Sequence, residues 1–171
     1  HPLIWALALG LKKTATTYFQ MDEGADSGDI LSQSPLEIGE DDTARTLYEK
    51  MTNSAVRQLE ALTTQFITGQ VNPIPQDATK ANYWRKRSQE DGRIDWRMSA
   101  KNIHNLIRAL SEPYVKADFE YSDGSIKVNA ARLGAMTSSN FEPGRILAVQ
   151  DGEITVVCGD GSSIVLIEHE L

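Results

Sequence analysis

Residues 1–38 read HPLIWALALGLKKTATTYFQMDEGADSGDILSQSPLEI. The apolar run LIWALALGL (3–11) predicts a short helix, closed by Gly10 and followed by Lys12 and Lys13, whose charges suit a helix C-terminus. TATTYFQM (14–21) is rich in Thr and aromatics, which fit a pleated surface, and predicts a strand. DEGADSGD (22–29) is a polar, glycine-punctuated loop, and ILSQSPLEI (30–38) returns to a β pattern. Helix, strand, loop and strand in that order predict an α/β class.

Working outward, Asp41 and Asp42 precede TARTLYEKMTNSAVRQLEALTTQFI (43–67), where Leu47, Met51, Ala55, Leu59 and Leu62 recur at helical spacing. Two strands are too few to cover two helices, so this portion reads as part of an α/β layer. QVNPIPQDATKAN (70–82) has two prolines and no apolar period and reads as a linker. Beyond it, SAKNIHNLIRALS (99–111) predicts a helix with Ser99 as N-cap, and Ile103, Leu106, Ile107 and Leu110 on one face. Short β runs follow at KADFEY, SIKVNAARL, GRILAVQ, EITVVCG and SSIVLIEHEL, separated by the turn signals SDG, QDG and GDGS. Five short strands and one helix predict a small β-barrel of the oligonucleotide/oligosaccharide-binding (OB) kind.

Composition narrows the function classes. The 171 residues are 40% hydrophobic and 24% charged, as in an ordinary globular chain, and no apolar run is long enough to span a bilayer. The first residue is His rather than Met, and no basic leader or small-residue cleavage site accompanies LIWALALGL, so a missing N-terminal part is expected. A lone cysteine, Cys158, excludes an internal disulfide and suits a reducing cytoplasm; within ITVVCG it reads as a buried structural thiol. The net charge of −7 weighs against a large nucleic-acid footprint but leaves room for a local basic patch.

The loop DEGADSGDI gathers Asp22, Glu23, Asp26 and Asp29 between two strands, where chemistry commonly sits. A calcium loop is disfavoured because the D-x-D-x-D-G order and the closing Glu are absent. By spacing alone, a solvated acidic turn is as good a reading as a functional one. The longer pattern separates them. HPLIWALALGLKKTATTYFQMDEGADSGDIL is similar to the stretch of the tetrahydrofolate-dependent formyltransferase family that runs from A-P-x-x-W-A-L through M-D-x-G-x-D-x-G-D-I. EDGRIDW and IHNLIRAL resemble the opening of the family's C-terminal domain, E-x-G-x-I-D-W followed by I-x-x-x-I-R-A. The resemblance covers nearly the whole chain and weakens after Leu133.

That resemblance implies the C-terminal portion of a Rossmann-like formyltransferase domain over 1–69, a linker over 70–82, and an OB-like domain over 83–171. It implies formyl transfer from 10-formyltetrahydrofolate to a primary amine, with a catalytic Asn and His in one loop and an Asp in the D-x-G-x-D-x-G loop. Asp26 matches that Asp, while the Asn and His would precede residue 1. His1 then lies past the catalytic loop. In such chemistry a His shuttles the amine proton, an Asp holds the imidazole and favours its charged form, and an Asn amide donates to the developing oxyanion. Gly24 and Ala25 would let the backbone approach the pterin.

Two acceptor classes compete: a nucleotide-linked amino-deoxysugar and initiator methionyl-tRNA. YWRKRSQEDGRIDW places Tyr83, Trp84, Arg85, Lys86 and Arg87 in a form similar to that of the amino-sugar enzymes, and Lys86 or Arg87 would meet a diphosphate. The plain alternative is a solvated basic linker pairing with Glu90 and Asp91. EPYVKADF departs from the family's N-P-W-P-G-A version, which puts the ordinary C-terminal role in question. The sugar nucleotide is the preferred acceptor and tRNA the second reading; a noncatalytic binding module is the third. His104 on its helix and His169 near the end read as structural, and Trp5, Trp84 and Trp96 as anchors, although Trp84 beside Arg85 could stack on a base. No metal or membrane partner is expected, a cytoplasmic compartment is expected, and the pattern allows a homodimer.

Overall fold

The computed structural model describes residues 2–122, 124–137 and 140–171; His1 and Asp123 of the SDG turn lie outside the described residues. The elements are α1 (Pro2–Ala8), β1 (Lys13–Phe19), β2 (Ile30–Glu37), α2 (Ala44–Thr68), α3 (Ala100–Leu110), β3 (Ala117–Tyr121), β4 (Gly124–Met136), β5 (Ile146–Gln150), β6 (Glu153–Val157) and β7 (Ser162–His169). Each helix and strand expected from periodicity and turn signals is present, and the class is α/β. None of the described helices is long and apolar enough to cross a membrane. Two compact units result, one from His1–Leu11, Glu40–Arg45 and Arg87–Leu171, the other from Lys12–Gly39 and Thr46–Lys86.

In the second of these units β1 and β2 pair antiparallel, with a register shift between Tyr18 and Phe19 at the mouth of the 22–29 loop. Helix α2 lies against this ribbon through polar groups. Thr16 Oγ1 hydrogen-bonds Ser54 Oγ at 3.1 Å and also Gln58 Oε1, while Gln58 Nε2 donates to Ser32 Oγ at 3.0 Å and Tyr18 donates to the Ala55 carbonyl at 3.0 Å. The inward face is therefore Leu47, Ser54, Gln58 and Leu62, and Leu59, expected inside, is 52% exposed. Hydroxyls on the ribbon demand partners once covered, so the helix turns Ser54 and Gln58 inward and leaves Leu59 in solvent.

The other unit joins α1 to the C-terminal sheet. Gly10, at φ 67°, ends α1 with a paired cap in which Gly10 N–H donates to the Leu7 carbonyl and Leu11 N–H to the Ala6 carbonyl. A Cβ at Gly10 would come within 2.6 Å of Asn105 Nδ2 on α3, so the glycine also permits close helix approach. Ser99 caps α3 by accepting from Asn102 N–H at 3.2 Å. Its apolar face, Ile103, Leu106, Ile107 and Leu110, is buried with Val128, Val156, Ile164 and Leu166 of the sheet.

That sheet is antiparallel, in the order β3-β4-β7-β6-β5. β3 and β5 are its edges, and no ladder joins them among the described residues, so closure into the expected barrel is not seen there. Register shifts, where strands commonly kink, lie along β4 between Val128 and Ala130, Ala130 and Ala131, and Leu133 and Met136. Ile107 is 1% exposed at the centre of this core. Ile107→Ala is expected to lower unfolding free energy by about 2–5 kcal/mol, read from the denaturant midpoint; a loss under about 1 kcal/mol would contradict the packing described.

Candidate functional site

The loop joining β1 to β2 is built from its base outward. Gln20 N–H donates to the Asp29 carbonyl at 2.9 Å and closes the neck. Asp22 Oδ1 accepts from Gly24 N–H at 3.0 Å and from Ser27 Oγ at 2.8 Å, a carboxylate organising the turn that follows it. Asp26 sits at φ 58°, the left-handed region that Asp tolerates better than most residues. Its side chain is exposed, and among the described residues no hydrogen bond engages the Asp26 carboxylate or the amides of Ala25 and Asp26.

One contributor escaped sequence reasoning. Gln76, inside the stretch read as a linker, donates from Nε2 to the Asp26 carbonyl at 2.8 Å and to the Gly28 carbonyl at 2.7 Å. Its reach is fixed by an antiparallel bridge in which Ile30 and Ile74 exchange two hydrogen bonds of 2.8 and 2.9 Å. Two prolines conceal this pairing, because no alternating run marks it in the sequence.

Tyr83, Trp84 and Lys86 belong to the same unit as the loop, and Arg87 to the other. Tyr83 is 92% and Trp84 54% exposed, with the indole N–H donating to Asn82 Oδ1 at 2.6 Å. Lys86 is exposed, and its ammonium makes no hydrogen bond or ion pair among the described residues. The Arg87 guanidinium lies 4.8 Å over the Trp5 ring and donates to the Asp91 carbonyl at 2.5 Å. The EDGRIDW motif is structural. Asp91 Oδ2 accepts from the Ser88 N–H at 2.7 Å, Ile94 N–H donates to the Asp118 carbonyl at 2.6 Å, and Trp96 meets Phe119 edge-on at 5.2 Å.

The remaining titratable candidates are accounted for by packing. Cys158 is buried, and burial first, then Asp160, push its thiol up to about 12, far from a reactive thiolate. His169 Nε2 lies 2.8 Å from the Gly152 carbonyl and its Nδ1 accepts from Leu171 N–H at 3.3 Å. Among the described residues no group of three His, Cys, Asp or Glu side chains could hold a metal ion.

His104 is half-buried in a cleft with Asp41, Thr43, Arg108 and Asn129, and its Nδ1 has no partner among the described residues. Burial, then Arg108 and Lys101, hold it below the ordinary value of 6.5, against the opposing pull of Asp41 and Glu40. Its protonated form is thus disfavoured in the native state. As pH falls from the unfolded value towards the depressed folded one, the unfolded chain binds the extra proton and stability declines. Between pH 7.5 and 5.5 the urea midpoint is expected to fall more for the native sequence than for His104→Gln; equal slopes would remove His104 from the account.

With the geometry in view, comparison with known proteins gives the family. Residues 1–63 match the formyl transferase family and residues 86–171 its C-terminal domain. The chain belongs to the formyl transferase family. It is 37% identical over 178 aligned positions to methionyl-tRNA formyltransferase of Anaeromyxobacter dehalogenans strain 2CP-1, covering 99% of this chain and 54% of that protein. The chain thus spans about half the length of the curated relatives it matches. In fold it is similar to the N-formyltransferase from Helicobacter canadensis in complex with folinic acid and dTDP-3-aminofucose, at TM-score 0.75 and 19% identity, over 96% of this chain and 59% of that one. It is also similar to HypX from Aquifex aeolicus in complex with tetrahydrofolic acid, at TM-score 0.73 and 22% identity, over 98% of this chain and 29% of that one. At these identities the two structures speak to fold alone.

Proposed function

We propose that this chain serves formyl transfer from 10-formyltetrahydrofolate to the amine of a nucleotide-linked amino-deoxysugar. The observation that carries the reading is the Asp26 loop: a solvent-facing carboxylate with no partner among the described residues, on a backbone tied at its neck and flank. Beside it, the amides of Ala25 and Asp26 without partners fit the hydrogen-bonding edge of a flat heterocycle, and Gly24 adds no side chain that would block approach. The cosubstrate supplies the formyl carbon. Asp26 would orient an imidazole by accepting its N–H and stabilise that ring's charge while it holds the amine proton; the family resemblance is the source of this role.

Charge supports the sugar over tRNA. From residue 87 onward acidic side chains outnumber basic ones, and most of the basic groups face acids: Arg93 with Glu120, Arg97 with Asp95, Lys116 with Glu170, Arg132 with Glu153 and Arg145 with Glu142. A phosphate backbone needs unopposed cations along its track. A single diphosphate needs one or two, and Lys86 with Tyr83 and Trp84 exposed beside it fits that smaller demand. We read 1–69 as belonging to a Rossmann-like catalytic domain and 83–171 as OB-like, the register shifts along β4 and the groove lined by Phe119 of β3 and Ile146 of β5 favouring the latter. The tRNA reading has one specific point in its favour, the name of the curated relatives.

The test is the full-length gene product incubated with 10-formyltetrahydrofolate and either amino-deoxysugar nucleotides or charged initiator methionyl-tRNA. Formylation of a sugar nucleotide supports the proposal. Formylation of the tRNA alone replaces it with the second reading, and turnover of neither leaves the chain as a binding module.

A further inference from the structure

We infer that Gln76 is a positioning residue whose carboxamide sets the backbone of the Asp26 loop, an inference that rests on the catalytic reading of Asp26. The argument starts from the backbone. Asp26 occupies a left-handed conformation at φ 58°, which Asp tolerates but which contacts around it must hold if its side chain is to leave in one direction. Local contacts on the N-terminal side supply part of this, through Asp22 to Gly24 and Ser27. They leave the Asp26 and Gly28 carbonyls unaddressed. Gln76 addresses both, its two N–H bonds closing on carbonyls two residues apart at 2.8 and 2.7 Å.

The register makes this arrangement specific. Ile74 pairs antiparallel with Ile30, so two residues further along one strand lies opposite two residues back along the other, which brings Gln76 level with Gly28. A side chain there needs two donors and the length of glutamine to span both carbonyls. An acid offers only acceptors at neutral pH, and a hydrophobic side chain offers neither. Gln76 touches no reacting atom. It acts on the direction in which the Asp26 side chain leaves the loop, and small errors in that direction are costly when a carboxylate must meet an imidazole N–H.

The experiment uses the full-length gene product with Gln76→Met, which keeps side-chain size and loses both donors, and Gln76→Ala as a second variant. Asp26→Asn and the double variant Asp26→Asn with Gln76→Met complete the set. Steady-state kinetics, thermal unfolding and backbone NMR order parameters over residues 24–29 are measured on each. For Gln76→Met the expected result is a kcat about 10- to 100-fold lower, a KM for the amine within about twofold, an unchanged unfolding midpoint, and lowered order parameters confined to 24–29. In the Asp26→Asn background the same change should lower the residual rate no further, because the group it positions is already gone.

Wild-type kcat and order parameters in both Gln76 variants, with Asp26→Asn inactive, would overturn the inference and leave the catalytic reading standing. An active Asp26→Asn overturns both. Should neither amine prove to be a substrate, the order parameters decide: a drop at 24–29 supports the clamp, and unchanged values refute it.

Discussion

On the proposed catalytic role, Asp26→Asn in the full-length gene product is expected to lower kcat for formyl transfer by about 10³- to 10⁴-fold while leaving the unfolding midpoint where it was. The size follows from what an amide cannot do. A carboxylate accepts the imidazole N–H and favours the cationic ring; an amide of the same shape offers one acceptor, no charge, and a competing donor that selects the wrong tautomer. The fold is spared because the Asp26 side chain is exposed and Asn tolerates the left-handed φ of 58° at least as well. The two readouts must therefore separate. A variant within about threefold of the wild-type rate would remove Asp26 from the chemistry, and one that unfolds early would make the loss a matter of stability.

How much of this could be read from the residues differs by element. The strands of the C-terminal sheet were marked by turn signals such as QDG and GDGS, because each turn needs left-handed backbone: Asp151 stands at φ 52° and Gly152 and Gly161 at 81° and 76°. Strand order and closure carry no such local mark. The register shifts along β4 are an example, because each depends on which strand lies opposite. Helix α2 shows a related limit: its span was evident, but the hydrophobic period placed Leu59 inside, where hydrogen bonding to Thr16 puts Ser54 and Gln58.

The site divides the same way. The family resemblance is what marks Asp26 and Gly24, and it can do so because the D-x-G-x-D-x-G motif it matches is contiguous in sequence. Gln76 lies 50 residues from Asp26 and reaches it only through the Ile30–Ile74 bridge, a pairing that a proline-broken segment does not advertise. Lys86 and Arg87 look alike as neighbours in one basic run. Stacking on Trp5 and donation to the Asp91 carbonyl distinguish Arg87 from Lys86, and sequence contains neither distance.

Gly28→Ala tests whether the neck of the loop is as tight as it looks. A Cβ at Gly28 would fall 1.9 Å from the Gln20 carbonyl oxygen and 2.8 Å from its carbon, a collision with backbone that no rotamer change relieves. The hydrogen bond from Gln20 N–H to the Asp29 carbonyl closes the loop one residue further on, so the strands must part where they are tied. Overpacking of this kind costs about 1–3 kcal/mol, and a loop displaced by about 1 Å loses about 10²-fold in kcat. Gly24→Ala is the comparison, because its added Cβ would meet chiefly the Ser27 hydroxyl at 2.0 Å, a group that can rotate away. Thermal unfolding should rank Gly28→Ala well below Gly24→Ala, and kinetics of the full-length product should show the larger kcat loss in Gly28→Ala. If Gly28→Ala melts and turns over like the wild type, the neck accommodates a methyl group, and the backbone path that aims Asp26 differs from the one described.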